Sequence, residues 1–132
     1  MAHKILVVDD DRDIVETLKN RLEKENYEVA VAFDGEEAIT KIKEVNPDIV
    51  LLDLVMPKIN GFEVLKEIRE KYKEKWRPVI IVSAQDDLES FRKSYSLEAD
   101  HYLTKPCTME HILSGIRTMI SLIPLRDNKE QS

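Results

Sequence analysis

A single cysteine, Cys107, is all the thiol the 132 residues contain, so no internal disulfide framework can form and the chain suits a reducing compartment. Positive charge is in deficit. Twenty Lys and Arg stand against 26 Asp and Glu, for a net charge of −6, which argues against a protein whose main task is gripping nucleic acid or an anionic membrane surface. No apolar run approaches the roughly 20 residues that a spanning helix needs. Met1-Ala2-His3-Lys4 leads straight into an apolar strand, leaving no room for a signal peptide, so a cytoplasmic location without a membrane is expected. There is no repeat at solenoid spacing and no low-complexity tract. What is present is a 42% hydrophobic content, enough for a sizeable core, in a length that suits one domain of roughly 100–200 residues.

Apolar runs and amphipathic segments alternate five times. Ile5 to Val8, Val29 to Ala32, Ile49 to Leu52 and Val79 to Val82 are short, continuously apolar strands, and His101 to Leu103 is a fifth, less apolar one suited to a sheet edge. Between them, apolar residues recur at helical spacing: Ile14, Val15, Leu18 and Leu22; Ala38, Ile39, Ile42 and Val45; Val64, Leu65 and Ile68; Leu88, Phe91 and Tyr95; and finally Ile112 to Ile123. Asp11, Asp34, Asn60 and Thr108 stand where side-chain caps are wanted, and Glu37 completes a capping-box pattern with Asp34. The stripe of the fourth helix is sparse, which predicts the least firmly docked helix. Residues 125–132 read as a short polar tail behind a single domain over residues 1–124.

Strands that are apolar throughout and alternate with helices predict a parallel α/β sheet covered on both faces. Right-handed crossovers put every strand's C-terminal end on one edge, and ligands of such sheets bind there. That edge collects Asp9, Asp10 and Asp11 after the first strand, Asp53 after the third, Ser83 and Ala84 after the fourth, and Thr104, Lys105 and Pro106 after the fifth. Singly, each has an ordinary reading: Asp11 a helix cap, Asp53 a loop acid, Lys105 a surface lysine. Together they need an explanation. Three carboxylates about 4 Å apart would cost on the order of 12 kcal/mol at an effective dielectric of 20, comparable with the ~5–15 kcal/mol stability of a whole domain. A proton, Lys105 or a divalent cation must offset that repulsion. Hard oxygens favour Mg²⁺, which keeps sites open for water and phosphate.

The chain resembles the receiver (CheY-like) domain of bacterial two-component response regulators. The resemblance rests on Leu6-Val7-Val8-Asp9-Asp10, on Leu51 to Gly61 (LLDLVMPKING), on Val82-Ser83-Ala84 and on Ala99 to Pro106 (ADHYLTKP), and it runs from about Lys4 to Ile123. It implies a doubly wound, flavodoxin-like fold with strand order 2-1-3-4-5. It implies that Asp53 accepts a phosphoryl group from a histidine kinase or histidine phosphotransfer protein. Mg²⁺ would be held by Asp10, Asp9, Asp53 and the Val55 carbonyl. Lys105 would pair with Asp53, while Ser83, Ala84 and Tyr102 would form the switch and phosphoryl-binding group. A cis Lys105-Pro106 bond would aim the lysine. Phosphorylation would be displayed to an unknown partner protein by the face of the fourth helix, fifth strand and last helix, in a monomer or a phosphorylation-dependent dimer. No nucleic acid or membrane is implied. Enzymatic activity is not expected beyond the domain's own phosphorylation and dephosphorylation.

Glu98 departs from the family, standing where Gly is frequent, so the turn there must accept a side chain. Trp76 is expected to cover the end of the core. Val55 and Gln85, two residues after Asp53 and Ser83, leave the lifetime of the phosphorylated state open. A haloacid-dehalogenase-like phosphatase also uses a strand-end Asp and Mg²⁺. It needs a second Asp two residues after its nucleophile, however, and Asp53-Leu54-Val55 lacks one. The Asp9 and Asp11 pair has that spacing but leaves Asp53, Ser83 and Lys105 unexplained. A flavin-binding module is disfavoured because no loop rich in Gly, Ser or Thr follows the first strand. A fragment of a larger response regulator would read identically.

Overall fold

The computed structural model describes residues 2–131, with side chains described as far as Arg126. Five strands, β1 (Lys4–Val8), β2 (Glu28–Ala32), β3 (Ile49–Leu52), β4 (Val79–Ser83) and β5 (His101–Thr104), alternate with helices α1 (Arg12–Lys24), α2 (Gly35–Val45), α3 (Gly61–Lys71), α4 (Leu88–Ser96) and α5 (Met109–Gln131). The strands form one sheet in the order β2-β1-β3-β4-β5, every pair parallel. This is the expected doubly wound α/β architecture.

Alternation along each strand divides the core in two. Ile5, Val7, Ile49, Leu51, Ile80 and Val82 pack against Val15, Leu18 and Leu22 of α1 and Ile112, Leu113 and Ile116 of α5. Leu6, Val8, Val50, Leu52 and Ile81 face Ala38 and Ile42 of α2 and Val64, Leu65 and Ile68 of α3. Because both faces are covered, the polar residues of the strands stand at their ends, as Lys4, Glu28, Ser83, His101 and Thr104 do. Truncating one of these buried leucines to Ala would cost about 2–5 kcal/mol.

The caps fall where the residue types direct them. Asp11 accepts from the N–H groups of Asp13 and Ile14, Asp34 from Glu37, Asn60 from Glu63, and Thr108 Oγ1 from His111. Glu37 reaches back, though to the N–H of Phe33 at 3.4 Å rather than to Asp34. Asp87, unnoticed in the sequence, caps α4 by accepting from Ser90.

Two sequence expectations need correction. Leu88 and Tyr95 do not face inward; they are 63% and 48% exposed, and the buried positions of α4 are Ser90 and Ser94, with Phe91 half-buried beside Tyr102. The i, i+3, i+7 spacing marks one helical face but cannot say which way it turns. Also, the last helix does not stop at Ile123: α5 continues through Pro124 to Gln131, with the proline inside. Ser132 lies outside the described residues.

The edge opposite the acid cluster is tied by two arginines. Arg77 is fully buried and donates to the carbonyls of Pro47 and Tyr72 and to Asn46 Oδ1. Arg69 donates to the carbonyls of Glu98 and Arg77 and to Asp100 Oδ2 at 2.6 Å. Glu98 takes a left-handed φ of 68°, so the turn does accept a side chain there. Trp76 is half-buried, with the Arg126 guanidinium 4.7 Å from its ring centre.

Candidate functional site

The hydrogen-bond ladders run past the strand ends and so set the site. Val8 pairs with Leu52, and the next N–H, that of Asp53, donates to the Val8 carbonyl at 3.0 Å, bringing Asp9 and Asp53 side by side. Ser83 pairs with Thr104, and the Lys105 N–H donates to the Ser83 carbonyl at 2.8 Å. The peptide bond between Lys105 and Pro106 is cis.

One carboxylate oxygen from each of Asp9, Asp10 and Asp53 lies within 4.8 Å of the other two. Asp9 and Asp53 are 4% and 7% exposed, while Asp10 faces solvent. Lys105 Nζ bridges the buried pair, 2.7 Å from Asp9 Oδ2 and 3.3 Å from Asp53 Oδ2. Its shorter contact is therefore to Asp9, whereas the sequence pattern pointed to Asp53. Burial raises the Asp53 pKa most; the Lys105 charge and the Val55 N–H, which donates at 3.2 Å, pull it back without cancelling the rise, and Asp9 adds to it. Burial also works against the Lys105 ammonium, but Asp9 and Asp53 outweigh it and its pKa stands above the ordinary lysine value.

Hard oxygens from three carboxylates suit a small divalent cation, and the one ammonium offsets only part of their charge. Residual negative charge there favours a cation, and the exposed Asp10 lets it enter. Val55 is half-exposed on the loop beyond Asp53.

Two glycines hold that loop in place. A Cβ on Gly61 would lie 2.3 Å from the Asp53 carbonyl oxygen and 2.6 Å from Leu54 Cα, and one on Gly35 would lie 2.2 Å from the Ile59 carbonyl oxygen. The Gly61 N–H donates to the Leu54 carbonyl at 3.0 Å. The sequence hints at Gly61 through its place after the Asn60 cap, but nothing in it marks Gly35 as a contact of the β3–α3 loop.

The hydroxyl side of the rim is equally ordered. Ser83 is fully buried and its Oγ accepts from the Gln85 N–H at 3.3 Å, while Ala84 is exposed. Tyr102 is buried, donates to the Gln85 carbonyl at 2.6 Å and packs on Phe91 with ring centres 4.2 Å apart. Burial raises its pKa. Tyr102 thus points inward. A groove of about 650 Å³ opens between α1 and the start of α5, touching the site through Lys105 and Ala84.

Residues 5–117 match the family model for the response regulator receiver domain. Among solved structures, the chain is similar to the receiver domain of the Francisella response regulator 1452, at 34% identity and a TM-score of 0.81, with 88% of this chain and 94% of that one covered. It is similar to a CheY-like receiver domain protein from Methanospirillum hungatei, at 29% identity and a TM-score of 0.87 over 96% and 99% of the two chains. A third likeness is to the chemotaxis protein CheY4 of Vibrio cholerae, at 29% identity and a TM-score of 0.84 over 89% and 98%.

Proposed function

This chain belongs to the response regulator receiver domain family of two-component systems, and from that premise we propose that Asp53 accepts a phosphoryl group from a histidine kinase or a histidine phosphotransfer protein. The observation that carries this reading is the cluster of Asp9, Asp10 and Asp53 bridged by Lys105 at the strand ends. An Asp53 carboxylate oxygen attacks phosphorus, the P–N bond of the donor phosphohistidine breaks, and the imidazole nitrogen keeps the electron pair. Asp53 must be ionised to do this, so Lys105 serves by opposing the rise that burial imposes on its pKa.

Asp9, Asp10, Asp53 and the Val55 carbonyl would hold Mg²⁺, which when bound supplies charge stabilisation for the transferring oxygens. Lys105 then turns from Asp53 to the phosphoryl oxygens, and the Ser83 hydroxyl and the Ala84 N–H donate to them. The domain's own catalysis is limited to its phosphorylation and dephosphorylation. Residues 1–124 form the receiver unit and 125–132 a short polar tail, acting in the cytoplasm.

Output falls to the face of α4, β5 and α5. Leu88 and Tyr95 stand exposed on α4, ready to meet a partner protein or a second copy. A phosphoryl group brings roughly −1.5 to −2 charge and three acceptor oxygens, which bias the Ser83 loop and Tyr102 between two populations. Acetyl phosphate with magnesium, followed by mass spectrometry, tests the assignment. The label is expected on Asp53 and absent from Asp53→Asn; label that persists in that variant refutes it.

A further inference from the structure

Three elements meet at Gln85. Its N–H donates to Ser83 Oγ, its carbonyl accepts from the Tyr102 hydroxyl, and its side-chain amide lies 3.2 Å from Ser90 Oγ in the first turn of α4. Ser90 is buried and also donates to Asp87 Oδ1 at 2.8 Å. A serine hydroxyl has one proton, so it cannot serve both acceptors. The shorter contact to a carboxylate takes it. The structure turns Gln85 Oε1 toward Ser90 Oγ; turned end for end, the amide would donate its N–H to Ser90 Oγ instead. In that orientation the chain of donors would run from Gln85 through Ser90 to Asp87 with every member satisfied.

Ser94 sits one turn further along α4 and is fully buried, yet its Oγ has no hydrogen-bond partner among the described residues. An orphaned buried hydroxyl opposes the arrangement that buries it. Two serines on one helix face therefore act in opposite senses. Ser90 holds α4 to the β4–α4 loop, and Ser94 weakens the docking.

We propose that Ser90, acting through Gln85, is a positioning residue that sets the Ser83 loop and with it the pocket's affinity for a phosphoryl group, and that Ser94 opposes it. This rests on the reading of Asp53 as the phosphoacceptor. In the held loop Ser83 Oγ spends a lone pair on the Gln85 N–H, which leaves its O–H available to a group on Asp53. A ligand that needs this loop binds more weakly in proportion to the time the loop is released.

The test is a beryllofluoride and magnesium titration of the full chain, followed by amide NMR. Ser90→Ala is expected to bind about three- to tenfold more weakly than wild type, the worth of one buried hydrogen bond, with the Ser83 and Tyr102 resonances shifted before ligand is added. Gln85→Ala should weaken binding in the same direction by no more than Ser90→Ala, which loses the Asp87 contact as well, and the double variant should be no weaker than Ser90→Ala, because the Gln85 contact is already gone there. Ser94→Ala should bind at least as tightly as wild type. Wild-type affinity in Ser90→Ala, additive losses in the double variant, or weakened binding in Ser94→Ala would each overturn the positioning role. If Ser90→Ala does not fold, Gln85→Ala carries the comparison. A wild-type chain that takes up no beryllofluoride would instead overturn the phosphoacceptor reading itself, and the positioning role with it.

Discussion

Replacing Lys105 with Met isolates the electrostatics of the pocket, because the side chain keeps its approximate length and loses its charge. Lys105 Nζ lies 2.7 Å from Asp9 and 3.3 Å from Asp53. At an effective dielectric of 20 those contacts are worth about 6 and about 5 kcal/mol before desolvation. Bringing the three groups out of water offsets much of that, and removing one partner of a buried pair costs about 3–5 kcal/mol net. Lys105 keeps a fifth of its side-chain exposure, so the lower end applies, and Lys105→Met should lose about 3 kcal/mol near neutral pH without divalent cations.

The sign with pH follows from the Asp53 shift. Its pKa is raised in the folded protein, so the folded state holds this proton more readily than the unfolded chain, and the penalty of the buried charge fades as pH falls through the folded value. Without the ammonium that value climbs further. The deficit of the variant should therefore be greatest at about pH 8 and shrink towards about pH 5. The Lys105 pKa is raised as well, so its contribution in the wild type is complete below the ordinary lysine value and is lost only at higher pH, outside this range. Urea denaturation in EDTA at several pH values measures the effect, and saturating Mg²⁺ should restore part of the loss by binding the folded state. A variant as stable as wild type at pH 8 in EDTA would refute the argument.

Asp10→Ala should weaken Mg²⁺ binding about tenfold or more, as one of few hard ligands is lost, while stability in EDTA does not fall because Asp10 faces solvent; calorimetric titration and urea denaturation decide both halves. Gly61→Ala forces a methyl against the Asp53 carbonyl, so thermal unfolding should show a loss of about 1–3 kcal/mol together with slower phosphorylation by acetyl phosphate. Arg77→Met strands the Pro47 and Tyr72 carbonyls and Asn46; urea denaturation should show a loss of about 3 kcal/mol or more, with phosphorylation of the folded fraction unchanged.

The architecture was legible because apolar runs of strand length alternate with helical stripes, and that pattern admits few topologies once both sheet faces must be covered. The acid cluster was legible for a related reason: charged residues directly after buried strands stand out against an apolar background. What escaped the sequence was direction and depth. Leu88 and Tyr95 announce a helical face, yet Ser90 and Ser94 are the residues turned inward, a direction that spacing alone does not carry. Arg77 sits in a charged run that reads as solvated surface; only the fold brings acceptors of the α2–β3 and α3–β4 connections around its guanidinium. The preference of Lys105 for Asp9 over Asp53 is a difference of 0.6 Å between contacts at 2.7 and 3.3 Å, set by backbone placement and invisible to pattern.

The arginines at the far edge of the sheet bear on how freely this chain could drift in sequence. Four of their contacts go to main-chain carbonyls, those of Pro47, Tyr72, Arg77 and Glu98. A carbonyl is supplied by every amino acid, so exchanging Tyr72 or Glu98 leaves those contacts available, provided the backbone keeps its course. Asn46 and Asp100 are different, because their own side chains receive the guanidinium groups. Asp100 Oδ2 also accepts the Val79 N–H at 2.8 Å. The loops around that edge can thus be rewritten extensively while a few side chains stay pinned. Such a surface can acquire new partners without disturbing the chemistry at the opposite end of the strands.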